Sequence, residues 1–157
     1  AEFDRVLSYR PNQIEVQRDD VYVTAGDLLA ITTTRGECTE AGLRRNLRIG
    51  MHYLGEWLAG TGAVAIDDHI EDLAMAELCR VQVWQWRHHG IELTNGFTVD
   101  EALIRRLATS EHQNLRKSLG EAEWSSGRFD EAFSILLDLV LAEDLADFIP
   151  HQTAGLH

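Results

Sequence analysis

The sequence is poor in cysteine and lacks any long run of apolar residues. Its two cysteines, Cys38 and Cys79, lie far apart in the chain and do not suggest the disulfide framework of a small secreted protein. This cysteine usage predicts a reducing compartment, and we expect a cytoplasmic protein. No run reaches the roughly 18 apolar residues of a membrane span, and no signal peptide is evident, so no membrane partner is expected.

Proline is also scarce, and acidic residues outnumber basic ones. Two prolines and a hydrophobic content of 45% are typical of a folded domain and argue against disorder. The 26 acidic and 14 basic residues give a formal net charge of -12. Nucleic-acid binding needs clustered basic side chains, and the cluster Arg44, Arg45 and Arg48 is short. We interpret it as a solvated or salt-bridged helix face and expect no nucleic-acid partner.

The length of the chain and its hydrophobic periodicity predict a single helical domain. At 157 residues the chain can bury a core of its own. We expect an all-α fold, a bundle of four to five helices over residues 39–150. An irregular N-terminal arm at residues 1–35 precedes it, and a tail at residues 151–157 follows it. Within the arm, residues 14–17 and 21–24 have the character of short strands.

Capping residues and hydrophobic periodicity predict where each helix begins. Thr39 is a good N-cap for the first long helix. A second helix is expected from about Asp68 to His88. Thr98 with Glu101 forms a capping-box pattern for a third helix, and a fourth is expected to begin near Arg128.

The second helix contains the strongest candidate for chemistry, the pair Glu71-Asp72 at the start of a mostly apolar run. A carboxylate among apolar neighbours can serve as a general base, because desolvation raises the pKa of a carboxylic acid. The alternative is structural, since an acidic residue near a helix N-terminus complements the helix dipole. Glu71 points about 100° away from Asp72 on a helix and is interpreted as structural.

The residues around this pair resemble the C-terminal domain of malate synthases. The family carries a Met-Glu-Asp-Ala-Ala-Thr-Ala-Glu-Ile-Ser-Arg signature followed by Gln-x-Trp-Gln-Trp. The corresponding stretches here are Ile70-Glu71-Asp72-Leu73-Ala74-Met75-Ala76-Glu77-Leu78-Cys79-Arg80 and Gln82-Val83-Trp84-Gln85-Trp86. The resemblance implies a helical domain in which Asp72 matches the Asp that removes a proton from the acetyl group of acetyl-CoA. It also implies a structural ion pair between Glu77 and Arg80.

Two departures from the family pattern shape the functional expectation. Malate synthases have a large β/α barrel that supplies the magnesium carboxylates, the glyoxylate site and a catalytic Arg, and such a barrel needs roughly 250 residues. The small polar positions of the signature are Met75 and Cys79 here. On a helix both would share a face with Asp72. We therefore expect a pocket whose lining differs from that of the family and which binds a different substrate. Its expected substrate-binding residues are Met75, Ala76, Cys79, His69 and Arg87.

Two other interpretations of the same stretch are weaker. Asp68, His69 and Asp72 lack any recognised metal-ligand spacing, so we expect neither a metal nor a cofactor. Cys79 shares a helix face with Asp72, but a buried cysteine is usually a small hydrophobe rather than a nucleophile.

These observations favour a free-standing, metal-independent enzyme in which Asp72 abstracts a proton. The expected reaction is a condensation, cyclisation or isomerisation of a carbonyl or thioester substrate in biosynthesis, not malate synthesis. The substrate would be a small molecule, linked to CoA or to a carrier protein. One alternative is a lid subunit of a split malate-synthase-like condensing enzyme, and another is a non-catalytic relic. A symmetric homodimer is expected, because the barrel-facing surface of the family needs a cover.

Overall fold

The computed structural model describes residues 2–7, 10–30 and 36–155. They form two compact units, Ala1–Gly36 and Glu37–His157. The second unit is a helical bundle with one small β-hairpin, which confirms the all-α prediction. Residues 31–35 of the predicted arm and residues 156–157 of the predicted tail lie outside the described residues.

The N-terminal unit contains two short helices, α1 (Glu2–Leu7) and α2 (Ala25–Leu29). A reciprocal capping box fixes the start of α2: the Thr24 hydroxyl accepts from the Asp27 N–H, and the Asp27 carboxylate accepts from the Thr24 N–H. The strands expected at residues 14–17 and 21–24 do not form within residues 10–30. Both segments are exposed, and neither pairs with another strand, which an isolated strand needs for stability.

The C-terminal unit is built around a central helix. Its elements are α3 (Glu40–Leu58), β1 (Ala63–Ile66), β2 (His69–Asp72), α4 (Leu73–His88), α5 (Glu101–Ser126), α6 (Phe129–Leu141) and α7 (Ile149–Gln152). Helix α3 packs against α4, α5 and α6, and its leucine stripe is the centre of the core. Among the described residues, no helix is both long and apolar enough to cross a membrane.

Local chemistry explains the bounds and the close packing of α3. Thr39 caps its N-terminus as predicted, accepting a hydrogen bond from the Gly42 N–H at 3.0 Å. Gly60, with φ 99°, follows its C-terminal end and adopts a backbone conformation that other residues disfavour. Gly55 lets Phe129 of α6 approach closely, because a Cβ on Gly55 would lie 2.2 Å from the Phe129 ring.

The β-hairpin occupies residues that we predicted to be the start of a helix. Strands β1 and β2 pair antiparallel, with Ala63 opposite Asp72 and Ile66 opposite His69. The two-residue turn between them has positive φ at both Asp67 (50°) and Asp68 (63°). Such a turn matches the twist of the flanking strands, and Asp tolerates it better than most residues. The helix prediction from Asp68 to Asp72 is therefore wrong, and α4 begins at Leu73.

Two further boundaries differ from the sequence expectation. Asp100, not Thr98, caps α5, because the Asp100 carboxylate accepts the Leu103 N–H at 2.7 Å. Helix α5 also continues past Gly120, where φ 78° and ψ 169° break its geometry. The predicted tail is partly ordered, since Thr153 is buried and its hydroxyl accepts from the Trp57 indole N–H at 3.3 Å.

Candidate functional site

Asp72 lies at the junction of β2 and α4, and it is the N-cap of α4. Its backbone is extended, and its Oδ1 accepts a hydrogen bond from the Met75 N–H at 3.1 Å. The other carboxylate oxygen accepts no hydrogen bond from the residues that the structure describes. The side chain is exposed. Asp72 is therefore held by one oxygen and open to solvent at the other.

The predicted pocket wall does not form beside Asp72. Ala76 and Cys79 are fully buried in the core, on the side of α4 that faces the bundle. Met75 is half-buried and packs against that core. The expectation that Ala76 and Cys79 contact a substrate is wrong, because α4 begins after Asp72 and both side chains belong to the helix's core-facing stripe. The role of Asp72 as a base stays a prediction.

A buried tyrosine of α3 lies close to Asp72. Tyr53 is fully buried, and its hydroxyl donates a hydrogen bond to the Gly62 carbonyl at 3.2 Å. Burial, and secondly the negative charge of Asp72, raise the pKa of Tyr53. Trp57 stacks on Tyr53 with ring centroids 6.2 Å apart. The Tyr53 hydroxyl thus joins α3 to the residue that precedes β1, whose first residue, Ala63, pairs with Asp72.

Glu71, the other member of the acidic pair, is buried in the hairpin. Its carboxylate is 5% exposed and lies 3.6 Å from the Arg45 guanidinium of α3. In the turn, Asp67 forms an ion pair with Arg48. A ring nitrogen of the exposed His69 lies 2.7 Å from the Asp67 carbonyl. Arg45 and Arg48 of α3 therefore bind acidic groups of the hairpin that leads to Asp72, whereas Arg44 pairs with Glu40 and Glu111.

Glu77 and Arg80 form an ion pair that joins α4 to α7. The Arg80 guanidinium is 1% exposed and lies 2.6 Å from the Glu77 carboxylate. The second Glu77 oxygen accepts the backbone N–H of Ile149. A buried arginine needs such a partner, because an unpaired charge in the core is costly.

Arg87 lies at the opposite end of α4 from Asp72, roughly 20 Å along the helix axis. It donates to the Ala142 carbonyl at 2.5 Å, and the Trp84 indole N–H donates to the same carbonyl at 3.0 Å. Both side chains thus satisfy a carbonyl just after α6. The expectation that Arg87 meets an anionic tail of a substrate stays a prediction.

The outer side of the hairpin and of α4 carries exposed apolar side chains. Ile70, two residues before Asp72 on the same side of β2, is 75% exposed, and Leu78 of α4 is 58% exposed. An open groove of about 400 Å³ lies along α4 and is lined by Glu77, Leu78, Val81, Gln82 and Gln85. Exposed apolar groups such as Ile70 and Leu78 are a surface that another body of protein can cover.

Side chains that can bind a metal ion come together between α3 and α5, not in the hairpin. Within the described part of the chain, the one group of three such side chains is His52, Glu56 and Glu123. Asp68, His69 and Asp72 do not form a group of this kind there. Sequence reasoning missed the cluster, although the i, i+4 spacing of His52 and Glu56 on a helix was a readable signal.

Comparisons of this chain with protein families and with individual proteins agree on one family. The family described as "Malate synthase, C-terminal" matches residues 37–155. The chain is 46% identical over 149 residues to malate synthase of Streptomyces clavuligerus, covering 95% of this chain and 28% of that protein. Malate synthase A of Escherichia coli (strain K12) is 40% identical over 150 residues, with 95% and 28% covered. Glyoxysomal malate synthase of Brassica napus is 39% identical over 148 residues, with 91% and 26% covered. The chain thus spans just over a quarter of the length of these relatives.

Proposed function

This chain belongs to the malate synthase family, and we propose that it is the helical domain that completes the active site of a malate synthase. The rest of that site would come from a β/α barrel, on the same polypeptide or on a separate one. The observation that carries the proposal is the position of Asp72. Its carboxylate is held at a helix N-cap by one oxygen, exposed at the other, and matched to the family's proton-abstracting Asp.

The expectation of a free-standing enzyme that does not make malate is wrong. It is overturned by the relatives, which are named malate synthases and are up to 46% identical to the chain. The burial of Ala76 and Cys79 removes its structural basis too, because neither can line a new pocket. The lid-domain alternative agrees with both observations.

In the proposed reaction, Asp72 takes a proton from the methyl group of the acetyl thioester of acetyl-CoA. The resulting carbanion equivalent then adds to the carbonyl carbon of glyoxylate, whose oxygen becomes an alkoxide and takes up a proton. Hydrolysis of the thioester by water then releases malate and CoA. The oxygen that already accepts the Met75 N–H stays fixed, and the free oxygen receives the proton. Docking of the barrel would remove water from this oxygen, which makes a carboxylate a stronger base.

The family also implies a magnesium ion, and the acidic residues of this hairpin do not fit one. Glu71 and Asp67 are engaged by Arg45 and Arg48, and a guanidinium beside each carboxylate opposes a second cation. Magnesium needs several oxygen ligands in near-octahedral array. We therefore assign the magnesium ligands to the barrel and no metal-binding role to this hairpin.

The compartment is a further part of the proposal. Cys38 and Cys79 are both free thiols, which favours a reducing compartment such as the cytoplasm. The relative from Brassica napus is named glyoxysomal, so localisation by fluorescent fusion in the source cell is the relevant measurement.

A chimera tests the proposed function directly. Residues 37–155 replace the matching segment of Streptomyces clavuligerus malate synthase, and malate formation from acetyl-CoA and glyoxylate is assayed. The chimera should be active, and Asp72→Asn should lower kcat by at least about 100-fold, the lower range for loss of a general base. It should equally lower deuterium exchange into the acetyl-CoA methyl group.

Asp68→Asn is the matched control, because it removes one exposed carboxylate from the same hairpin at a position where Asn also tolerates positive φ. It should leave kcat within about twofold. Full activity of the Asp72→Asn chimera would refute the base assignment.

A further inference from the structure

A histidine and two glutamates from two helices converge at the C-terminal end of α3. His52 and Glu56 lie one turn apart on α3, and Glu123 lies on the part of α5 that follows the break at Gly120. One ligand atom of each side chain lies within 4.8 Å of the others. We propose that these three side chains bind a divalent transition-metal ion of the zinc class.

The state of His52 points to a ligand. Its side chain is buried, with the residue 7% exposed, and its ring contacts Phe129 edge-on at 5.9 Å. Its ring nitrogens form no hydrogen bond with any residue that the structure describes. These nitrogens are therefore available to an external ligand such as a metal ion.

The two glutamates add uncompensated negative charge at the same place. In the described ranges, neither carboxylate forms an ion pair with an arginine or a lysine. A bound divalent cation would offset the repulsion between the two carboxylates.

The ligand set selects the class of ion. Imidazole with two carboxylates suits zinc and its neighbours, whereas magnesium prefers oxygen ligands alone. Zinc bonds of about 2.0–2.2 Å place the ligand atoms of a tetrahedral ion roughly 3.3 Å apart. The ligand atoms, which lie within 4.8 Å of one another, therefore close in by at most about 1.5 Å on binding. Glu123 is exposed and free to rotate, and a water molecule can take a fourth position. The ion would join α3 to α5 beyond its break at Gly120.

Metal titration of the 157-residue chain, free of affinity tags and of chelator, tests the site. We expect one equivalent of Zn²⁺ by calorimetry and a higher Tm with Zn²⁺ than with Mg²⁺. Co²⁺ should give visible absorption bands and quench Trp124, which adjoins Glu123 and stacks on Phe129 at 4.9 Å. Glu123→Gln should weaken Zn²⁺ binding at least about 10-fold. Loss of a residue that only hydrogen-bonds to a metal ligand already costs about 10-fold to 100-fold in affinity, and Glu123 is proposed to be a ligand itself.

The variants keep the result independent of folding and of catalysis. Glu123 is exposed, so its substitution leaves the core intact even if His52→Gln fails to fold. The adjacent His88 and His89 are exposed and offer the rival site, so the double variant His88→Gln, His89→Gln is the control and should bind Zn²⁺ as the wild type does. Equal affinity of wild type and Glu123→Gln, or loss of binding only in the double variant, would overturn the proposal. Malate synthesis is not measured, so neither outcome bears on the proposed function.

Discussion

At the scale of single residues, Asp72 has a structural role that substitution can separate from its proposed chemistry. It caps α4 through the Met75 N–H. Asn caps a helix about as well as Asp, and Ala does not. Asp72→Ala should therefore lower the free energy of unfolding by about 1 kcal/mol, and Asp72→Asn by a few tenths at most. Urea unfolding of the chain measures both, and an equal loss in the two variants would contradict the capping role.

The sequence predicts some residue roles here and cannot predict others. The resemblance to the malate synthase signature picks out Asp72 as the candidate base. The i, i+3 spacing of Glu77 and Arg80 predicts the ion pair that the structure contains. The sequence also predicts a structural role for Glu71, but not its partner Arg45, which lies on α3 while Glu71 lies in β2. A contact between distant residues depends on how α3 and the hairpin pack, and no local spacing encodes it.

At the scale of elements, helices with a clear apolar stripe were predictable and the hairpin was not. The leucines of α3 repeat with helical periodicity, and Thr39 marks its start. The stretch from Ala63 to Asp72 lacks the Asn-Gly or Asp-Gly pair that usually marks a two-residue turn. Its acidic residues instead resemble the first turn of a helix. Burial of Val64 and Ile66 on alternate positions then decides in favour of strands, and that burial depends on the tertiary fold.

The core-facing side of α4 leads to a prediction about thiol chemistry. Cys79 is 1% exposed, and burial raises its pKa to about 11. At pH 8 only about one thiol in a thousand would be ionised. Alkylation by iodoacetamide should therefore modify the half-buried Cys38 alone, and Cys79 should react only as fast as the chain unfolds.

The same shift sets a direction for stability against pH. The folded pKa of Cys79 lies above that of an unfolded thiol, about 8.5. Its contribution to stability is therefore fully present below pH about 8.5 and is lost as the pH rises towards 11.

Mass spectrometry of labelled peptides checks the predicted reactivity of the two thiols with iodoacetamide, with Cys38→Ser as the control that should show no rapid labelling. Rapid labelling of Cys79 in the folded chain would contradict its burial.

At the scale of the whole molecule, the exposed apolar side chains beside Asp72 need an explanation that the chain alone does not provide. The chain corresponds to 28% of a malate synthase of Streptomyces clavuligerus, so most of such an enzyme lies outside this sequence. We propose that the barrel covers Ile70 and Leu78 and thereby encloses the Asp72 carboxylate. The predicted homodimer is the competing cover, in which a second copy of the chain would bury the same side chains.

Leu78→Glu should distinguish a docking surface from ordinary exposed surface. Burial of a leucine side chain contributes about 1.5–3 kcal/mol, so its replacement by a charge should weaken binding of the 157-residue chain to a separately produced barrel at least about 10-fold. Thr109→Glu places the same charge on the exposed side of α5 and is the matched control, with little expected effect. Calorimetry measures the affinity, and light scattering of each chain alone reports any dimer. If Leu78→Glu binds the barrel as tightly as Thr109→Glu does, the barrel does not cover this face. If Leu78→Glu instead dissociates a dimer of the chain, a second copy covers it.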